Sequence, residues 1–113
     1  MDVFIAGGYT FFKDGLRMRL SLKEKNALKT ALEGFEGEVY LFGSRLDHAK
    51  RGGDIDILIK PARKTGQYEL KSTIVSRFER TLEQSLDVVV YNDQNIFCQE
   101  VMKYAKPFDP ASL

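Results

Sequence analysis

The sequence predicts an α+β fold, a mixed β-sheet covered by helices, on three observations. A capped amphipathic helix begins near residue 21, three short apolar runs follow it, and a second amphipathic helix separates the last two runs. Alternation of this kind gives an α-β-β-α-β-α core with helices packed on a sheet.

Residues 3–6 and 9–12 are short apolar runs around Gly7-Gly8 and read as two strands joined by a tight turn. A phosphate loop is the poorer reading there, because no helix start follows the glycines. Met18 directly precedes a cleaner element, so residues 1–17 are set apart as an uncertain N-terminal extension. Ser21-Leu22-Lys23-Glu24 is a capping box, in which a hydroxyl and a carboxylate satisfy the orphan amides of a helix start. Leu28, Ala31, Leu32 and Phe35 recur at helical spacing, and Gly34 and Gly37 end the helix.

Residues 39–42 have strong strand preference, and residues 43–53, with three glycines, read as a loop holding one helical turn. Residues 55–59 form the next strand, closed by Pro61. Leu70, Ile74, Phe78 and Leu82, with Val75 alongside, mark the second helix. Residues 86–91 are the third strand of the core. A last helix is expected after Asn92-Asp93, burying Phe97, Val101 and Tyr104 and stopping before Pro107.

The 113 residues suit one domain, expected over 1–113 with 18–105 as its core. A net charge of +1 gives no global electrostatic case for nucleic acid or a membrane surface. Cys98 is the only cysteine, which excludes an internal disulfide and fits a reducing cytoplasm. No apolar run approaches the ~20 residues of a membrane span. The expectation is a cytoplasmic protein, with oligomeric state open.

The chemical signal lies where acids interrupt strands. Side chains two apart on a strand share a face, so Asp54 and Asp56 project together, away from Ile55, Ile57 and Ile59. Asp87, at the start of the run DVVVY, is a third acid among apolar residues. Asp54 alone, after Gly52-Gly53, reads as a turn residue, whereas Asp56 inside an otherwise apolar strand resists that reading because burying an unpaired carboxylate is costly, and Asp87 alone fits either. Together they favour a metal site, because close carboxylates repel unless a hard divalent cation neutralises them. Upstream, Gly43-Ser44 follows a strand directly, where glycine allows close backbone approach and exposed amides and a hydroxyl can meet phosphate. Arg45, Lys50 and Arg51 could offset further phosphate charge.

The run GSRLDHAKRGGDIDILI resembles the signature of the minimal nucleotidyltransferases, the smallest members of the DNA polymerase beta-like superfamily. That signature is Gly-Ser, then Asp-x-Asp on a strand after about ten residues; here the gap, residues 45 to 53, is nine. The family's third carboxylate lies on a later strand, where LDVVVY places Asp87. The resemblance implies a polymerase beta-like nucleotidyltransferase fold. It also implies that Gly43, Ser44 and Arg45 bind a nucleoside triphosphate, ATP by family habit. Asp54, Asp56 and Asp87 would ligate magnesium and serve as the catalytic residues. Two such ions about 3.5–4 Å apart can stabilise attacking and leaving oxygens of an in-line displacement.

The implied reaction transfers a nucleoside monophosphate to a protein or another hydroxyl acceptor and releases pyrophosphate. The chain resembles the small partner of HEPN/MNT toxin-antitoxin pairs, which implies a helical HEPN-type partner and an antitoxin role. The alternative is a module that neutralises such a partner by binding alone. Two departures stand out: Arg45-Leu46-Asp47-His48 replaces the Ala-Arg-Gly many antitoxin-type members carry, and the acceptor-binding domain of larger relatives has no counterpart here. His48 reads as an incidental loop residue, and Cys98 as a small core residue.

Overall fold

The structure is a computed structural model that describes residues 3–46 and 53–113. β1 (Val3–Ala6) and β2 (Tyr9–Phe12) form the expected hairpin across Gly7-Gly8, with Val3 opposite Phe12. A two-residue β3 (Arg17–Met18), not expected from the sequence, pairs with β2 to complete a three-stranded antiparallel sheet. Val3, Phe12 and Met18 are buried in the same apolar cluster as the helices, and Asp14 pairs with Lys106 near the other end of the chain. The segment set apart as an extension is packed onto the rest.

α1 (Leu22–Ala31) starts as its capping box requires. The Ser21 hydroxyl accepts the Glu24 N–H at 3.1 Å, and the Glu24 carboxylate accepts the Ser21 N–H at 2.8 Å. Ala27, Leu28 and Ala31 carry its buried stripe.

The main sheet has strand order β6-β5-β4-β7. β4 (Gly37–Phe42) lies antiparallel to β5 (Ile55–Pro61), and β5 lies parallel to β6 (Leu86–Val90). A parallel pair needs a crossover, supplied by α2 (Gln67–Thr81), which buries Ile74 and Phe78. α1 and α2 cover the face bearing Val39, Leu41, Ile55, Ile57, Ile59 and Val88, all buried. Alternation puts Phe42, Asp56 and Asp87 on the opposite face.

α3 (Ile96–Met102) crosses that opposite face, setting the Phe97 ring edge-on to Phe42 and the Cys98 thiol toward the Val90 carbonyl. The expected burial of Phe97 and Tyr104 is corrected: they are 54% and 68% exposed, and Cys98 is the buried residue. The helix is only seven residues long, so Tyr104 lies beyond its end. Pro107 does not merely stop the helix. It sits inside β7 (Lys106–Phe108), an edge strand on β4, where a missing amide is tolerated.

Candidate active site

Strand register assembles the site. Phe42 of β4 stands opposite Asp56 of β5, and Asp56 stands opposite Asp87 of β6. Neighbouring strands are about 4.8 Å apart, so paired side chains on one face can touch. The Asp56 and Asp87 carboxyl groups are therefore near enough to perturb one another. The Asp56 pKa is pushed up to about 6, first by burial, then by the Asp87 carboxyl and its charge, then by the charge of Asp54; the Arg45 field opposes the shift. Asp54 is exposed, one residue before β5, and reaches Asp56 through its charge.

Gly43 and Ser44 leave β4 in a single 3-10 turn, Gly43–Arg45, the helical turn expected in the loop. Gly43 has φ 78°, and a Cβ there would lie 2.5 Å from Asp56 Oδ2. Only glycine allows the backbone to approach the carboxylate so closely. On the loop's return, a Cβ on Gly53 would lie 2.7 Å from Ser44 Oγ. Gly43, Ser44, Gly53 and Asp56 are therefore brought together at one end of the sheet.

Arg45 has a different setting from the phosphate contact expected of it. Its guanidinium is buried and forms an ion pair with Glu24 at 2.8 Å. Nη1 also donates to the Arg19 carbonyl at 3.0 Å, while Nη2 and Nε donate to the Gly53 carbonyl at 2.9 and 3.3 Å. The donors of the guanidinium fork are thus engaged within the protein, and Arg45 braces both ends of the loop against α1. Arg19 adds a bond of 2.7 Å to the Ser44 carbonyl.

Glu24 is the residue sequence reasoning undervalued. Burial alone would raise its pKa, but hydrogen bonds from Arg45, Gln84 and Ser21 outweigh that and hold it below the ordinary value. Its place in the capping box was visible; its second role depends on a partner 21 positions away. Lys50 and Arg51, the other candidate phosphate partners, and His48 lie outside the described residues.

Among the described residues, no three carboxylate, imidazole or thiol side chains are grouped to hold a metal ion together. Asp56 and Asp87 meet, whereas Asp54 interacts at longer range. The pair itself suits a hard divalent cation: its donors are oxygens, and a cation would offset the repulsion between the two carboxylates. A groove of ≈ 820 Å³ lies elsewhere, between α2 and the far ends of β5 and β6.

The family described as Polymerase beta, Nucleotidyltransferase matches residues 36–108, a stretch that runs from β4 through β7 and includes every aspartate of the site. No curated protein matches the sequence. Among solved structures, the toxin-antitoxin complex MntA-HepT contains a chain similar to this one at TM-score 0.54 and 20% identity, covering 77% of this chain and 70% of that one. A tri-AMPylated Shewanella oneidensis HEPN toxin in complex with MNT antitoxin gives TM-score 0.53 and 22% identity, covering 74% and 67%. At such identities the likeness concerns the fold, which is the polymerase beta-like nucleotidyltransferase fold expected from the sequence. With well over half of its length matched, the chain belongs to the polymerase beta nucleotidyltransferase family.

Proposed function

We propose that the chain is a magnesium-dependent nucleotidyltransferase that moves AMP from ATP to a hydroxyl group on a HEPN-type toxin, acting as its antitoxin. The observation that carries this reading is the Asp56–Asp87 pair, held on one sheet face beside the close-approaching Gly43-Ser44 turn. A fold needs no such pair, since two adjacent acids destabilise one another. Two solved complexes that contain similar chains are toxin-antitoxin pairs, one of them with an AMPylated HEPN toxin.

In this reading Gly43 and Ser44 meet the triphosphate, with Arg45 and Arg19 holding their loop rigid. Asp54, Asp56 and Asp87 would hold magnesium, Asp54 turning in once a cation offsets the repulsion. Bound magnesium would supply charge neutralisation at the phosphates and at the attacking oxygen. Asp87 helps remove the acceptor hydroxyl's proton. The acceptor oxygen bonds to the α-phosphorus of ATP, the bond from that phosphorus to the bridging oxygen breaks, and pyrophosphate leaves.

The test is to incubate the purified chain with a HEPN protein encoded beside it, magnesium and ATP labelled at the α-phosphate. Label should appear on the HEPN protein and vanish with Asp87→Asn. A stable complex without label would instead support neutralisation by binding alone.

A further inference from the structure

The Glu24 carboxylate is buried, and donors from three segments of the chain fill it. Its Oε1 accepts the Ser21 N–H and Arg45 Nη1, each at 2.8 Å. Its Oε2 accepts Arg45 Nη2 at 2.8 Å and Gln84 Nε2 at 2.6 Å. A carboxylate offers about four acceptor sites, so this one is saturated. Ser21 belongs to the start of α1, and Arg45 to the turn after β4. Gln84 belongs to neither. It lies 60 positions from Glu24, in the irregular stretch between α2 and β6.

Each arm of this cluster leads to the candidate site. Arg45 holds the carbonyl of Gly53, the residue before Asp54. The Arg45 carbonyl accepts the Arg19 N–H at 2.9 Å, and Arg19 in turn holds the Ser44 carbonyl. Gln84 stands shortly before Asp87. Residues 82–85 form neither helix nor strand, so pairing with β5 and the Gln84 bond together fix where β6 begins. Asp54 and Asp87 thus follow separate segments whose common anchor is Glu24.

We infer that Gln84 is a positioning residue. Through Glu24 and Arg45 it sets the start of β6, with Asp87, against the Gly43-Ser44 turn and the lead-in to Asp54. Its part in the reaction rests on the transferase reading, whereas the clamp itself does not. A bond serving stability alone would be poorly placed here. α1 keeps its capping box without it, and Arg45 keeps both bonds to Glu24. What Gln84 adds is the connection across to β6. A displacement of about 1 Å at a reacting group can cost about 100-fold in rate, so this spacing bears on chemistry before it bears on folding.

The test uses Gln84→Leu, which removes the donor at a half-buried position while keeping a side chain of similar size, and Gln84→Glu, which sets a second carboxylate against Glu24. The Tyr91 N–H donates to the Ile59 carbonyl, so alternation along β6 turns the Asp87 and Val89 amides toward β5 as well. In the metal-free chain their hydrogen exchange should quicken by about tenfold in Gln84→Leu, and further in Gln84→Glu. The urea midpoint of Gln84→Leu should stay close to that of the unaltered chain. For label transfer to the HEPN protein, kcat should fall by about tenfold or more while KM for ATP stays within about twofold, because the turn that meets ATP keeps Arg45 and Arg19. Unchanged exchange in both variants would overturn the proposal. So would a lowered urea midpoint with unchanged kcat, which marks a bond that is merely structural. If the unaltered chain itself neither binds manganese with ATP nor transfers label, the transferase reading fails, and the exchange measurement still decides whether Gln84 fixes β6.

Discussion

Asp56 and Asp87 stand opposite each other across the parallel pair β5–β6, and the Asp87 carboxyl disfavours ionisation of Asp56. Register creates the encounter: α2 returns the chain so that the acid at the start of β6 meets the acid near the start of β5. The raised Asp56 pKa, about 6, follows from burial and from this neighbour.

Metal affinity should therefore depend on pH. A cation binds the deprotonated pair, so below about 6 it must displace a proton from Asp56. Affinity for magnesium or manganese should rise up to about tenfold per pH unit below that value and level off above it. Calorimetric titrations between pH 5 and pH 8 check this.

The same shift makes a prediction about stability. The native Asp56 pKa lies above the ordinary 3.8, so between 3.8 and about 6 the native state holds more protons than the unfolded chain. Stability of the metal-free chain should fall as pH rises through that window. Asp56→Asn should accordingly stabilise the metal-free chain at pH 7 by about 1 kcal/mol, less than the full shift implies because solvent reaches the group. Thermal unfolding of both forms measures it; destabilisation would point to a purely structural aspartate.

Gly43→Ala should damage the site more than the fold. The new methyl would overlap Asp56 Oδ2, and φ 78° is strained for alanine. The expected cost is about 1–3 kcal/mol in stability, with AMP transfer reduced by about 100-fold or more if Asp56 is displaced. Folding by circular dichroism and label transfer, measured on one preparation, separate the two effects.

Glu24→Ala and Arg45→Ala should each cost about 3–5 kcal/mol, because either change leaves a buried charge without its partner. The double variant should lose less than the sum of the two. Because the Glu24 pKa is depressed, the pair's contribution is present above the ordinary 4.5 and is lost as pH falls through the lower native value. Urea unfolding as a function of pH tests both points.

Most of the fold was legible in the sequence because its signals are local. The capping box at Ser21 and Glu24, the apolar period of α1 and α2, and the runs that form β4 to β6 needed no tertiary information. The failures come from context. β7 holds Pro107 at its centre, and only its edge position makes a strand possible there. The apolar spacing of Phe97 and Tyr104 suggested a buried helix face, yet α3 is too short and buries Cys98 instead. At the site, the carboxylates could be named from the sequence, but register alone pairs Asp56 with Asp87. Arg45 resembles a phosphate ligand in the sequence because its partner, Glu24, is remote and a helix cap already accounts for that carboxylate.

The most direct measurement is manganese binding in the presence of ATP, followed by electron paramagnetic resonance, for the unaltered chain and for Asp56→Asn combined with Asp87→Asn. If these two aspartates form the metal-nucleotide site, the unaltered chain binds and the double variant binds at least about tenfold more weakly while remaining folded. Equal binding by the two proteins would contradict the assignment.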